Sequence, residues 1–170
     1  IIALTYGSIV SFLALFATEK GIDNPGIFFT VYAITLILVR VAGGRLSDIK
    51  GRKFVIIPGM IFITIGLWVL SMAGHLMIFL AAAFLYGIGF GLAHPAIMAL
   101  LVDMVGEEER GAAMGTFTAA FDLGIGTGSI ILGVVLQYLG FSAMYILGGL
   151  IVLAGTLWFI LHTEKNLEAI

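Results

Sequence analysis

Long apolar runs, separated by short polar breaks, set the pattern of this chain. Between positions 54 and 102 there is no Asp, Glu, Lys or Arg, and between 111 and 163 there is only Asp122. Crossing about 30 Å of hydrocarbon takes about 20 apolar residues, so each run is long enough for two crossings. The polar breaks then divide the chain into six helical spans, at about 1–17, 26–44, 54–72, 76–104, 111–138 and 142–162. Thr18-Glu19-Lys20-Gly21 ends the first span, and Asp23-Asn24-Pro25-Gly26 turns into the second. The segment 43–53, then Ala73-Gly74-His75, then 106–110, then Leu139-Gly140-Phe141 separate the rest, and a polar tail covers 163–170. Strands are not expected. Membrane barrels alternate polar and apolar positions over about 10 residues, whereas these runs are continuously apolar, and a helix satisfies its own backbone in lipid.

Composition agrees. The chain is 61% hydrophobic and 11% charged, against about 25% charged residues in a soluble domain. It therefore reads as an all-α integral membrane protein. A net charge of −2 gives no sign of a nucleic-acid partner, and no cofactor or metal signature is present. There is no cysteine, so redox compartment is not encoded. The chain opens at Ile1 inside an apolar stretch, with no basic segment before it and no cleavage site after it. It reads as cut within a helix, that is, as part of something longer.

Charge orders the spans. Residues 43–53 read Gly-Gly-Arg-Leu-Ser-Asp-Ile-Lys-Gly-Arg-Lys, with four cations and one acid in eleven residues. This is expected to be a short charged hairpin at a membrane surface. One side of the six-span layout carries Arg45, Lys50, Arg52, Lys53, Arg110 and Lys165, and the other carries only Lys20. The positive-inside rule makes the first side cytoplasmic, with both chain ends on it. The spacing also suggests two three-helix units of opposite orientation, a 3+3 inverted repeat.

The same charges carry candidate chemistry. Gly43, Gly44 and Gly51 allow sharp turning and close helix approach. Asp48 can accept hydrogen bonds from Arg52 or sit at a helix N-terminus, where the dipole favours an anion. Such a cluster can latch helix ends in one conformation, or it can simply anchor the loop to anionic lipid. Arg40 lies about one turn inside the end of span two, and Asp103 lies at similar depth in span four. A cation in lipid pairs or snorkels, so an intramembrane Arg40–Asp103 ion pair is one expectation and a snorkelling Arg40 the other. In the break before span five, Glu107, Glu108 and Glu109 form a solvated face. Glu109, beside Arg110, is the candidate to cap span five or to bond an Arg of 43–53.

Two polar residues lie deep. Asp122 is twelve residues past Arg110, or about 18 Å along a helix, which is near mid-membrane. Desolvation there favours a carboxylate that takes and loses a proton, or one bonded structurally within the bundle. His94 lies at similar depth, before Pro95, where the missing N–H lets a helix bend. It can relay protons or be a neutral bundle residue. Tyr6, Ser8, Ser11, Tyr32, Tyr86 and Gln137 are further candidates for a cavity lining. Gly-x-x-x-Gly spacings at 111/115 and 124/128 provide small faces for close packing.

The segment Gly44-Arg45-Leu46-Ser47-Asp48-Ile49-Lys50-Gly51-Arg52-Lys53 resembles motif A of the major facilitator superfamily, written G-x-L-x-D-x-x-G-R-K. Gly44, Leu46, Asp48, Gly51, Arg52 and Lys53 match it, between the second and third spans as in the family. Glu109-Arg110-Gly111 and Gly115 resemble the family's E…R-G pattern between helices four and five. The resemblance covers the whole chain. Phe12, Phe28-Phe29 and Phe121-Asp122-x-Gly124 make it similar to the C-terminal half of bacterial drug- or sugar-efflux-type members. It implies half of a twelve-helix transporter whose N-terminal half is missing. It further implies a bacterial plasma-membrane setting, alternating access, a small-molecule substrate bound between halves, and proton-coupled efflux. A non-transporting six-helix module that docks a second half is the alternative. An intramembrane enzyme is the remote one, because no catalytic signature is present and Asp122 has no second buried acid.

Overall fold

The computed structural model describes the backbone of residues 1–167 and the side chains of residues 1–162. Lys165 and the rest of the polar tail therefore lie outside the described side chains. Every regular element is helical: α1 (Ile2–Glu19), α2 (Gly26–Lys50), α3 (Lys53–Ser71), α4 (Leu76–Asp103) and α5 (Arg110–Leu167), with a 3₁₀ turn at Glu107–Glu109 before α5. All five helices are long and apolar enough to cross a membrane. No strand occurs among the described residues.

Two boundaries differ from the sequence reading. The charged segment is not a hairpin loop, because α2 continues through it to Lys50. The stretch 44–50 holds no proline, its long side chains suit a helix, and Ser47 is buried against the bundle. Gly51 then ends the helix with φ +91°, a conformation that costs glycine least. Only Gly51 and Arg52 separate α2 from α3.

The second difference is in α5, which is assigned as one helix where two spans were expected. Its backbone is broken at Gly140, with φ 81° and ψ 175°, at the expected turn. Contacts before and after that residue run in opposite directions along α1. Gly124 lies beside Ala3, Gly128 beside Leu4 and Gly133 beside Phe12, so both segments advance together. After Gly140, Phe141 and Tyr145 pack on Phe16, Gly148 on Thr5 and Gly155 on Ile1. The chain therefore returns along α1 after Gly140.

Small residues allow the closest approaches. A Cβ on Gly89 would lie 2.5 Å from the Ile63 nitrogen, so α3 and α4 touch through their backbones. A Cβ on Gly128 would strike the Leu4 carbonyl, which holds α1 equally close to α5. Leu13, Phe16, Phe28, Ile63, Leu67, Phe79, Tyr86 and Tyr145 fill the core between these contacts. The buried hydroxyls of Thr5 and Ser8 are satisfied locally: Thr5 donates to the Ile2 carbonyl (2.9 Å) and Ser8 to the Thr5 carbonyl (2.7 Å), whereas the Tyr145 hydroxyl has no partner among the described residues. Such back-bonding keeps polar side chains compatible with an apolar interior.

The helix order puts Lys50, Arg52, Lys53, Asp103 and Arg110 at one end of the bundle. Glu19, Lys20, Asp23, Ser71 and Gly140 lie at the other. Pro58 and Pro95 sit inside α3 and α4 without ending either helix.

Candidate functional site

Arg52 organises the basic end. It lies where α2 hands over to α3, and its guanidinium reaches three groups. Nε donates to Asp103 Oδ2 at the end of α4 (2.8 Å). Nη1 donates to Asp48 Oδ1 and to Ser47 Oγ (3.1 Å) in the last turn of α2. The hydrogen bonds that Asp103 first and Asp48 second accept from it raise the Arg52 pKa above its ordinary value. The guanidinium thus joins three helices at one point. Its contacts with Asp48 were legible from the four-residue spacing; its bond to Asp103 was not.

The expected Arg40–Asp103 pair is replaced by Arg52–Asp103. Arg40 and Asp103 were matched by depth, but α2 continues helically past Arg40 to Lys50. The α2–α3 junction therefore meets the end of α4, while Arg40 lies more than two turns back along α2. Among the described residues Arg40 makes no ion pair. In the next loop the ion pair is Glu107–Arg110 (3.6 Å), rather than one from Glu109 to the basic segment. Arg45 and Gly44 are exposed. Lys50 lies over the Phe54 ring, 4.7 Å from its centre, and Lys53 begins α3.

Above this junction, α2 and α4 enclose a cavity of about 570 Å³. Arg40, Gly43, Ser47, Asp48, Arg52 and His94 line it, with Leu92, Pro95 and neighbouring residues of α4. A second cavity, of about 310 Å³, is apolar and lies among α1, α3, α4 and α5. His94 lines both.

His94 is held by rings. It stacks on Phe90 (centroids 5.1 Å apart, planes 10° apart) and meets Phe121 edge-on at 4.9 Å. Its Nδ1 is shielded from solvent and has no hydrogen-bond partner among the described residues. The ring contacts extend upward from Phe90 to Tyr6 (5.1 Å) and Tyr32 (6.1 Å), and from Tyr32 to Tyr86 (6.0 Å). Tyr86 is fully buried within 3.4 Å of the Thr5 hydroxyl. The row draws on α1, α2, α4 and α5. Letters gave its tyrosines as candidates but not their shared wall. Of the other candidates, Ser11 pairs with Ser129 (2.9 Å).

Asp122 is exposed and lines neither cavity. Its neighbour Phe121 turns toward His94 and the apolar cavity, while Asp122 lies on the exposed surface of α5. The two deep candidates therefore do not share one pocket. No cluster of three metal-ligating side chains occurs among the described residues.

Comparisons with known proteins agree with one another. The model for the Major Facilitator Superfamily matches residues 1–170. The staphylopine export protein of Staphylococcus aureus is 25% identical over 155 residues, covering 89% of this chain and 39% of that protein. An uncharacterized MFS-type transporter of Methanocaldococcus jannaschii is 28% identical over 139 residues, or 81% of this chain and 36% of that protein. An uncharacterized MFS-type transporter of Pseudomonas aeruginosa is 29% identical over 153 residues, or 90% of this chain and 38% of that protein. The chain thus spans about two-fifths of the length of these curated relatives.

Proposed function

The chain belongs to the Major Facilitator Superfamily, and from that premise we propose that it forms the C-terminal six-helix half of a secondary active transporter. The coverage of about two-fifths of each relative supports a second half as its partner, and the resemblance to C-terminal halves makes that partner the N-terminal one. The reversal of contacts at Gly140 supports counting α5 as two spans. Six spans in two inverted groups of three then carry a small solute by alternating access. The described cations Arg45, Lys50, Arg52, Lys53 and Arg110 at one bundle end, against Lys20 at the other, support a cytoplasmic location for both chain ends. The lipid setting is a plasma membrane.

The observation that carries the mechanism is the Arg52 junction. One guanidinium bonded to Asp48, Ser47 and Asp103 ties the α2–α3 turn to the end of α4. Charge-assisted hydrogen bonds of this kind are strong yet breakable when helix ends part. In our reading they latch the cytoplasmic ends in one conformation and release in the other. Gly44, Arg45, Gly51 and Lys53 belong to this gating segment. Glu109 and Arg110 border it at the start of α5.

Export is the direction we favour, on the likeness to a staphylopine export protein. Proton coupling would use Asp122 and His94 separately. An exposed acid on a membrane helix needs water, a partner or a proton, and the second half would cover that face. His94 sits between the two cavities, where an imidazole could pass a proton.

The test is flux in proteoliposomes holding the full-length protein, under an imposed proton gradient. Asp48→Asn should slow transport, and an unchanged rate sinks the latch. Asp122→Asn and His94→Gln should each reduce proton-coupled flux; wild-type flux in both removes them as coupling sites.

A further inference from the structure

We propose that the α2–α4 cavity and the aromatic row beside it form one binding site for an organic anion that carries a planar aromatic ring. This rests on the transporter reading and names its substrate class.

Arg40, Arg52 and Asp48 are the charged residues that line the cavity. Arg52 is bound to Asp48 and to Asp103, so its charge is met locally. Arg40 is exposed and has no ion pair among the described residues. A cation among membrane helices is costly without a counter-charge. A carboxylate or similar anion in the cavity would supply one, and Arg presents a planar fork suited to it. His94 also lines this wall, although its Nδ1 is shielded from solvent. A ligand cation would find no free acid here: Asp48 is engaged, and Asp122 lines neither cavity.

The aromatic requirement comes from the other side of His94. Its ring continues the row of Phe90, Tyr6, Tyr32 and Phe121. Tyr6, Tyr32 and Phe121 are only half-buried, so a flat ring can stack or meet them edge-on. The exposed face of α2 differs in kind. Ile34, Ile37, Leu38 and Val41 there are aliphatic, which suits acyl chains. Rings are concentrated instead around His94, which alone of the row lines the cavity with Arg40. Cation and rings therefore meet at one residue, which fits a ligand with an anionic group on a planar ring.

The experiment uses the full-length protein in nanodiscs of zwitterionic lipid, with 2-naphthoate, 2-naphthamide and acetate as probes in equilibrium dialysis. The 2-naphthoate ion should bind about tenfold or more tighter than either of the others, one lacking the charge and the other the ring. Arg40→Gln should lose about tenfold in 2-naphthoate affinity, and Arg40→Lys, which keeps the charge but not the fork, should lose less. Phe121→Leu, at a half-buried position, should lose about fivefold. Lys20→Gln, at the opposite end, should bind as wild type. Circular dichroism and gel filtration establish that each variant is folded. Equal affinity for 2-naphthoate and 2-naphthamide, or for 2-naphthoate and acetate, overturns the proposal, as does unchanged binding in a folded Arg40→Gln. Flux of some other solute without 2-naphthoate binding leaves the transporter reading standing and removes this one. Binding by a protein that moves nothing does the reverse.

Discussion

Asp103 has one partner in the structure and had another on sequence depth, and a double-mutant cycle separates them. The perturbations are Arg52→Gln, Asp103→Asn and their combination, beside the parallel set with Arg40→Gln. The Arg52 side chain is 25% exposed, while Asp48 and Asp103 are 69% and 52% exposed. Both acids thus keep much of their hydration, and each pair is worth about 0.2–1 kcal/mol rather than the larger value of a buried pair. Removing the guanidinium also takes a donor from the buried Ser47. Arg52→Gln should therefore cost about 1–2 kcal/mol in all. Its coupling to Asp103→Asn should be about 0.5–1 kcal/mol, whereas Arg40→Gln and Asp103→Asn should add to within about 0.3 kcal/mol. The acids raise the pKa of Arg52, so its contribution is complete below the unfolded-state value and fades only as pH rises through the folded one. It is present at every working pH. The assay is reversible unfolding of the full-length protein in mixed SDS and dodecylmaltoside micelles. Stronger coupling of Asp103 to Arg40 than to Arg52 would refute the geometry of the junction.

Four other substitutions probe the backbone and core. Gly128→Val puts a side chain onto the Leu4 backbone and should cost about 3 kcal/mol or more or abolish folding, whereas Gly126→Ala meets nothing within 4 Å and should be neutral or stabilise by up to about 1 kcal/mol; the same micelle unfolding reads both. Gly140→Ala must hold φ 81° and ψ 175°, so it should cost about 1–3 kcal/mol and lower the unfolding midpoint; an unchanged midpoint would mean that the break is not maintained. Leu67→Ala empties a fully buried site and should cost about 3–5 kcal/mol, measured by loss of monodisperse protein on heating.

The helices were legible because lipid demands long apolar runs, and those runs start and stop at charges. Their ends were less so. At 43–50 a dense row of charges and glycines reads like a loop, yet Arg45, Asp48, Ile49 and Lys50 are exposed while Gly43 and Ser47 turn inward, which is a helical periodicity under a charged surface. Gly140 was legible as a turn, and the backbone breaks there with helix on both sides. The Asp48–Arg52 contact followed from four-residue spacing. Asp103 could not be assigned from spacing at all, since fifty-one positions separate it from Arg52 and only packing decides which cation it meets. Asp122 was expected deep in a span, but its outward turn depends on helix rotation, and a span apolar on all sides carries little signal of rotation.

That weakness in rotational signal explains why the polar residues, few as they are, carry the functional argument. In water, an amphipathic stripe would show which face of each helix is buried. Here aliphatic side chains serve equally in the core, as Ile63 and Leu67 do, and on the outside, as Ile34 and Leu38 do. Rotation is therefore read from exceptions. Gly59, Gly89 and Gly128 mark the faces where helices touch. Arg40, Ser47 and His94 mark the wall of a cavity, and Tyr6, Tyr32 and Phe121 mark the surface that continues it. The basic junction lies at the bundle end and the aromatic row lies deeper, with Arg40 and His94 between them. A ligand at Arg40 would thus share a cavity wall with Arg52 and Asp48, the residues proposed to latch the helix ends. Occupancy of the site and the state of the latch would then be coupled through that one cavity, with no longer pathway required.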